Sequence, residues 1–146
     1  ENVWRNTRYN NNYTVNILGG KEFKNIGKKH NQILALNAKL FFEGGQRYIP
    51  VIRDAEGNVA VDPENDKYFD FSKAYNDKLD NIFLMNFSAS YKFNKPRATH
   101  EIFLDLMNIT NSQARMSEYY DASKPGKVAY TTQFHFFPNI MYRVYF

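Results

Sequence analysis

Hydrophobic and polar side chains alternate along residues 83–93, and this alternation constrains the fold more than any other feature of the sequence. In a β-strand, successive side chains point to opposite faces of the sheet, whereas a helix spreads both sets around its surface. The segment is therefore predicted to be a strand with one polar and one apolar face. The polar positions are Asn86, Ser88, Ser90 and Lys92, and the apolar positions are Phe83, Met85, Phe87, Ala89, Tyr91 and Phe93.

The same period of two recurs in four other segments. Five long strands are predicted, over about 11–23, 31–44, 81–94, 98–110 and 131–146. Each is long enough to cross a bilayer at a tilt, which takes about nine to eleven residues. Pro138 interrupts the last strand, where a bulge or an unpaired backbone position is expected. The predicted fold class is all-β, an antiparallel up-and-down meander within one segment, 1–146.

The connections between these strands alternate in length. Short turns at 24–30 and 95–98 alternate with long loops at about 45–80 and 111–130. Short turns on one side and long loops on the other are typical of transmembrane β-barrels, whereas a soluble sandwich has short connections throughout. The meander is therefore predicted to be part of a barrel whose membrane-facing residues are Leu34, Leu36, Leu40, Phe83, Met85, Phe87, Ile102, Leu104, Leu106, Tyr142, Val144 and Phe146.

Composition is consistent with this prediction and excludes several other classes of protein. Aromatic residues make up 17% of the chain, although the mean hydropathy is only −0.62. A barrel strand has this profile because only every second residue faces lipid. There are no cysteines, which excludes disulfides, thiol catalysis and zinc–thiolate sites. The net charge of +4 comes from scattered basic residues, so no nucleic-acid partner is expected.

Charged residues share the predicted polar face. Glu101 and Asp105 lie on one side of their strand, and Lys39, Lys92 and Arg143 lie on the corresponding sides of other strands. A ladder of charges along the wall of a lumen is favoured over acid–base catalysis, and no enzyme activity is expected. No metal or cofactor site is expected either, because the histidines are predicted to lie too far apart to bind one metal; they are His30, His100 and His135.

The chain ends on an aromatic strand. Asn139, Val144 and Phe146 match the C-terminal signal by which bacterial outer-membrane barrels are recognised by their assembly machinery, whereas Met141 stands where Gly is usual. If Phe146 is periplasmic, the turns at 24–30 and 95–98 are periplasmic too, and the long loops lie outside the cell. The chain also begins at Glu1 without an initiator Met, as expected of a mature product or a fragment.

Several short motifs, in order along nearly the whole chain, carry a family resemblance. They are WRNTRY (4–9), LGGKEF (18–23), FEGGQRYIPV (42–51), SYKFN (90–94), LDLMNITN (104–111) and PNIMYR (138–143). Together they resemble the C-terminal barrel of TonB-dependent receptors of the Bacteroidetes type.

This resemblance implies a plug domain inside a barrel of about 22 strands in the bacterial outer membrane. Such receptors import a scarce nutrient (an iron chelate, cobalamin or an oligosaccharide) with energy delivered through TonB. The chain would be roughly the last quarter of the wall, with lipid, the plug and the remaining strands as partners and TonB acting only indirectly. Substrate contacts are expected in the outer loops, with Tyr48, Arg53, Arg115, Tyr119 and Tyr120 as candidates.

One alternative follows from the same strands. The apolar side chains of a soluble β-barrel or sandwich would also alternate, packing on an interior that binds a small apolar ligand. A five-stranded piece also has open edges, which a second copy of the chain is able to pair with.

Overall fold

The computed structural model describes residues 4–28, 31–60 and 68–146. Within these ranges the chain is all-β, with two 3-10 turns and no α-helix. No helix in this part of the chain is long and apolar enough to cross a membrane. His30 and residues 61–67 of the predicted outer loop lie outside the described residues. The strands are β1 (Thr14–Ile26), β2 (Gln32–Glu43), β3 (Ile82–Lys95), β4 (Ala98–Met107), β5 (Arg115–Tyr120), β6 (Val128–Thr132) and β7 (Phe137–Tyr145).

Five of these strands form one sheet in the order β1-β2-β3-β4-β7. The neighbours β3 and β4, and likewise β4 and β7, are antiparallel. The predicted antiparallel meander of five long strands is therefore confirmed. The sheet is not closed, because β1 and β7 lie at its two edges.

The register keeps the two faces of the sheet separate. Leu104 in β4 lies opposite Ala89 of β3 and Ile140 of β7, and its neighbour Asp105 lies opposite Ser88 and Asn139. Directly opposed residues in antiparallel strands point to the same face. A shift of one residue in either pairing would mix polar with apolar side chains, so the alternation of the sequence excludes such a shift.

The ends of three strands differ from the prediction by three residues or more, and one of these is β4, which ends at Met107 rather than at 110. The first strand runs from Thr14 to Ile26 rather than from 11 to 23, and the last begins at Phe137 rather than at 131. The last strand starts later because Val128–Thr132 pairs with β5 in a separate hairpin. Pro138 keeps its register opposite Leu106, so no bulge forms there. An edge strand tolerates proline because the backbone N–H groups on its outer side have no neighbouring strand to bond, so the N–H that proline lacks is not needed there.

By its contacts the chain divides into two compact units. The first, here called the sheet unit, comprises residues 15–42, 83–112 and 134–146. The second, the loop unit, comprises residues 1–14, 43–82 and 113–133. The loop unit has local order of its own, since it contains the β5–β6 hairpin and isolated bridges such as Val51 with Phe69. Among its described residues, the buried apolar ones are Val51, Val59, Ala74, Ile82 and Ala114.

Asn108 terminates β4 and is the largest fully buried side chain in the described residues, with 1% exposure. Its amide donates to the carbonyl oxygens of Ser112 at 2.8 Å and Phe134 at 2.5 Å. Its Oδ1 accepts from the Ser112 N–H at 3.1 Å, and its own N–H donates to Asn86 Oδ1 at 2.9 Å. The backbone of Asn108 has a φ of 50°, a left-handed conformation that Asn adopts more readily than most residues. One side chain thus ties the end of β4 to the segment that leads into β7.

Candidate functional site

The apolar face of the sheet extends across four strands. The register places the alternate apolar residues of β3, β4 and β7 on one side. The β2 strand joins them on the same side, because the Phe42 ring packs edge-on against Phe83 with centroids 6.3 Å apart. Asn37 in turn contacts Ser88 on the opposite, polar side. The apolar surface therefore runs from β2 to β7 without a change of face.

The apolar face is open in the described chain. Ile102, Ile140 and Tyr142 are 47%, 73% and 60% exposed. In the described strands, the charged residues on this face are Lys21 of edge strand β1 and Lys95 at the end of β3. Phe146 follows the end of β7. The other residues predicted to face the membrane all share this face, namely Leu34, Leu36, Leu40, Phe83, Met85, Phe87, Ile102, Leu104, Leu106, Tyr142 and Val144.

The polar face is organised around Glu101, which is only 3% exposed. Its carboxylate accepts hydrogen bonds from Ser90 Oγ at 2.8 Å and Tyr145 Oη at 2.7 Å. Lys92 Nζ lies 3.6 Å away and Arg143 Nη1 lies 3.3 Å away. A buried carboxylate is stable only when it is paired and hydrogen-bonded, and here four side chains from two neighbouring strands meet that need. The predicted grouping of Glu101, Lys92 and Arg143 on one face is confirmed.

The rest of the predicted charge ladder lies further along this face. Lys39 and Asp105 line a groove of about 530 Å³ together with Asn37, Asn86 and Ser88. The groove is open to water on the polar side of the sheet. The charged and amide groups there are therefore hydrated rather than buried.

Glu118 is the buried charge in the described part of the loop unit, with 8% exposure. Its carboxylate accepts from the Val51 N–H at 2.9 Å and pairs with Arg53 Nη2 at 3.4 Å. Tyr48 lies close by, and burial, followed by the negative charge of Glu118, raises the pKa of the Tyr48 phenol above its ordinary value. Two of the predicted contact residues, Tyr48 and Arg53, are therefore brought together around a carboxylate that the sequence analysis did not single out.

A small cavity adjoins Glu118. It has a volume of about 160 Å³ and is lined by Arg8, Arg47, Tyr48, Phe69 and Tyr75, among others. Binding pockets for small molecules usually exceed about 300 Å³. The cavity therefore accommodates one chemical group of a ligand rather than a whole nutrient.

The other predicted contact residues lie apart from this cavity. Arg115 forms a two-point ion pair with Asp80, with N–O distances of 2.8 and 2.7 Å, and its guanidinium lies 5.0 Å from the ring centroid of Tyr130. Tyr120 packs against Tyr68 with centroids 5.8 Å apart. Tyr119 points to the other side of β5 and is 40% exposed. The structure thus gives Arg115 a structural partner and does not gather the five candidates into one site.

The Asp80–Arg115 pair makes the stability of the protein depend on pH. Hydrogen bonds from Arg115 lower the pKa of Asp80 to about 2 from the usual 3.8. A lowered folded-state pKa means that the pair stabilises the fold above about pH 4 and loses this effect as the pH falls toward 2. We expect Asp80→Asn to cost about 1 kcal/mol at pH 7, as for a well-aligned but partly exposed pair. Equilibrium unfolding of both proteins at pH 7 and at pH 2.5 measures the change.

The control separates the ion pair from other effects of the substitution. Asp80→Asn leaves the stacking of Arg115 on Tyr130 in place, so the cost at pH 7 that shrinks at pH 2.5 belongs to the charge of Asp80, which the Arg115 guanidinium and, at 3.0 Å, the Arg115 backbone N–H stabilise. In the Arg115→Gln background, Asp80→Asn should show much less dependence on pH over this range. A cost for Asp80→Asn that stays constant from pH 7 to pH 2.5 in the otherwise unchanged protein would contradict the assignment.

Comparison of the chain with protein-family models, with curated proteins and with solved structures finds no match.

Proposed function

We propose that the chain is a wall segment of a TonB-dependent outer-membrane receptor that imports a scarce nutrient. The single observation that carries this proposal is the unbroken apolar face from β2 to β7, with the paired charges of Glu101, Lys92 and Arg143 on the opposite face. A barrel wall needs this division, because one side of each strand meets hydrocarbon and the other meets a water-filled lumen.

The height of the apolar face supports the same proposal. Phe83 and Phe93 lie on this face ten residues apart in β3. At about 3.3 Å per residue this is about 33 Å along the strand, or about 25 Å at a tilt of about 40°, which matches the apolar band of outer-membrane barrels. Aromatic residues lie at both limits of the band, with Phe42 beside Phe83 and His100 beside Phe93.

Lys21 is the exception on this face, since it lies level with the middle of the sheet on edge strand β1. Its four methylene groups allow the ammonium to reach toward the water at the turn end, as long basic side chains do in membranes. A neighbouring strand of the barrel would also shield Lys21 from lipid, because β1 lies at the edge of the sheet in this chain.

The polar face suits a lumen. Glu101, Lys92 and Arg143 form a closed charge network there, and Lys39 and Asp105 line an open groove. On the opposite face, an arginine or lysine would cost about 2–4 kcal/mol near the middle of a bilayer. The two free edges at β1 and β7 suit strands that continue into a larger barrel, since barrels leave no edge unpaired.

The proposal names the kind of nutrient but not the individual ligand. The cavity beside Glu118 is too small for a whole nutrient, so the remaining contacts would come from the plug and other outer loops. The proposed receptor therefore shares its specificity between this chain and parts outside it, and the nutrient class stays an iron chelate, cobalamin or an oligosaccharide.

Single cysteines test the lipid-facing assignment, because the chain has none of its own. Met85→Cys and Asn86→Cys are a matched pair, since they are neighbours in β3 on opposite faces. Each variant is labelled with bimane in the full-length protein in bilayers. The label in Met85→Cys should be quenched by brominated acyl chains, and the label in Asn86→Cys should instead be quenched by water-soluble iodide.

Equal quenching of both variants by iodide would contradict the proposal, because it would place both faces in water. Protection of the label in Met85→Cys from both quenchers would point to a packed protein interior, as in the alternative of a soluble barrel or sandwich. The pattern should repeat with cysteines introduced at Phe87 and Ser88.

A further inference from the structure

The turn end of the sheet contains a cleft between its two hairpin turns. It has a volume of about 590 Å³, and its lining includes Lys28 and Gln32 on one side and Phe93, Lys95 and Pro96 on the other. Two hydrogen bonds hold the turns together, from Asn31 Nδ2 to the Asn94 carbonyl at 2.6 Å and from the Asn94 N–H to the Asn31 carbonyl at 3.2 Å. The Asn31 and Asn94 sides of the cleft are thus joined directly across β2 and β3.

The charge of this cleft is positive and not neutralised by described carboxylates. Lys28 and Lys95 line it, and Arg97 lies exposed in the adjoining turn. Further from the end, Lys24 pairs with Glu22 and Lys92 pairs with Glu101. Among the described residues, no carboxylate lies within ion-pair distance of Lys28, Lys95 or Arg97. An anionic group is the complementary ligand for such a cleft.

An aromatic cluster adjoins the cleft on the apolar face. Phe93 stacks on His100 with centroids 4.9 Å apart and planes within 8°. His100 Nδ1 and Tyr142 Oη share a hydrogen bond of 2.6 Å. Lys95 Nζ lies 5.7 Å from the Phe93 ring centroid, so the cationic and aromatic groups form one continuous surface. Aromatic rings with a polar edge are typical of the level where acyl chains meet headgroups.

From this juxtaposition we propose that the turn end binds an anionic phospholipid, with its phosphate between Lys28 and Lys95 and its acyl chains along Phe93 and Tyr142. The occupant is a lipid rather than a free anion, because the cationic cleft opens directly onto the apolar face. This inference rests on the proposed function, since it places the turn end at the headgroup level of one leaflet. It adds a lipid class and a defined binding site to that proposal.

The test uses the full-length protein in phosphatidylcholine bilayers that contain traces of spin-labelled lipid. Electron paramagnetic resonance measures the fraction of label immobilised at the protein, for phosphatidylglycerol and for phosphatidylcholine. The unchanged protein should prefer phosphatidylglycerol. Because each basic residue near an anionic lipid surface strengthens binding about fivefold, the variant Lys28→Gln/Lys95→Gln should reduce this preference by at least about fivefold.

A matched variant serves as control. Lys124 and Lys127 are likewise exposed, but they lie in the loop unit. Lys124→Gln/Lys127→Gln removes the same charge and should leave the preference unchanged. Immobilisation of phosphatidylcholine should be the same in all three proteins, which shows that the variants remain folded in the bilayer.

Three outcomes would overturn the inference. If Lys28→Gln/Lys95→Gln keeps the full preference for phosphatidylglycerol, these two lysines do not form the lipid site. Loss of the preference on adding millimolar inorganic phosphate at constant ionic strength would show a site for a free anion instead of a lipid. If neither labelled lipid is immobilised, the protein has no lipid contact, and the proposed function fails together with the inference.

Discussion

Phe87→Arg is expected to destabilise the bilayer-inserted protein by about 2–4 kcal/mol, the cost of an arginine on the lipid side near the middle of a barrel. Phe87 lies on the apolar face opposite Leu106, close to the middle of the height between Phe83 and Phe93. The arginine would have to leave water for hydrocarbon, and no described carboxylate shares this face with it. Equilibrium unfolding in urea of the full-length protein in lipid vesicles measures the difference.

Ser88→Arg is the matched control for Phe87→Arg. It places the same side chain on the next residue of β3, but on the polar face opposite Asp105. There the guanidinium stays hydrated and gains a carboxylate nearby, so we expect a change of no more than about 0.5 kcal/mol. Equal damage from both substitutions would count heavily against a lipid-facing surface. Greater damage from Ser88→Arg would assign the two faces the other way round.

Asn108→Ala should cost about 3 kcal/mol, because it leaves buried polar groups without partners at about 1–3 kcal/mol each and puts alanine into a left-handed conformation. The groups that lose their bond to the amide are the carbonyls of Ser112 and Phe134, the Ser112 N–H and the Thr110 hydroxyl. Since Asn108 is 1% exposed, water does not easily take the place of the amide. Urea unfolding followed by far-ultraviolet circular dichroism measures the loss.

Two further variants separate the causes of this loss. Asn108→Gly removes the same hydrogen bonds without the left-handed penalty, so it should be about 1 kcal/mol less damaging than Asn108→Ala. Asn111 has the same φ of 50°, but it is exposed, and its side chain accepts a hydrogen bond from the Phe136 N–H. Asn111→Ala should therefore cost less than half as much. If the two alanine variants cost the same, the buried hydrogen bonds of Asn108 contribute little.

The sheet was predictable because its signal is periodic. In β3 and β4, nearly every second residue is apolar, and the period of two determines which residues share a face, as Leu104 does with Ala89 and Asp105 with Ser88. The same rule places Glu101 and Lys92 on one face from the sequence alone. The alternation along each strand and the pairing between strands thus agree on which residues share a face of the sheet.

The β5–β6 hairpin was not predicted, and the reason is the buried Glu118. Along Arg115–Tyr120, the positions on one side are Met116, Glu118 and Tyr120. A buried glutamate in the middle of this set resembles a solvent-exposed position, so the alternation disappears from the sequence. Only the structure shows that the Val51 N–H and Arg53 satisfy its carboxylate.

Asn108 carries a weaker signal that sequence reasoning missed. It follows directly after a strand and stands before Ile109, Thr110 and Asn111, and asparagine is a common non-glycine choice for a left-handed turn. That much indicates the end of a strand. Its bonds to Ser112 and Phe134 span sequence separations of 4 and 26 residues, and the longer of these cannot be inferred from neighbouring residues.

The strand order also has a kinetic consequence. The β3 and β4 strands meet through a tight turn in which Lys95 pairs with Ala98, whereas β7 reaches β4 only after an excursion from Met107 to Phe137. Closing a longer loop costs more chain entropy and slows formation of the contact. The hairpin is therefore ready first, and the C-terminal strand docks onto an existing template. A chain built this way completes its sheet in the order of loop length, so β7 joins β4 after the β3–β4 hairpin has formed.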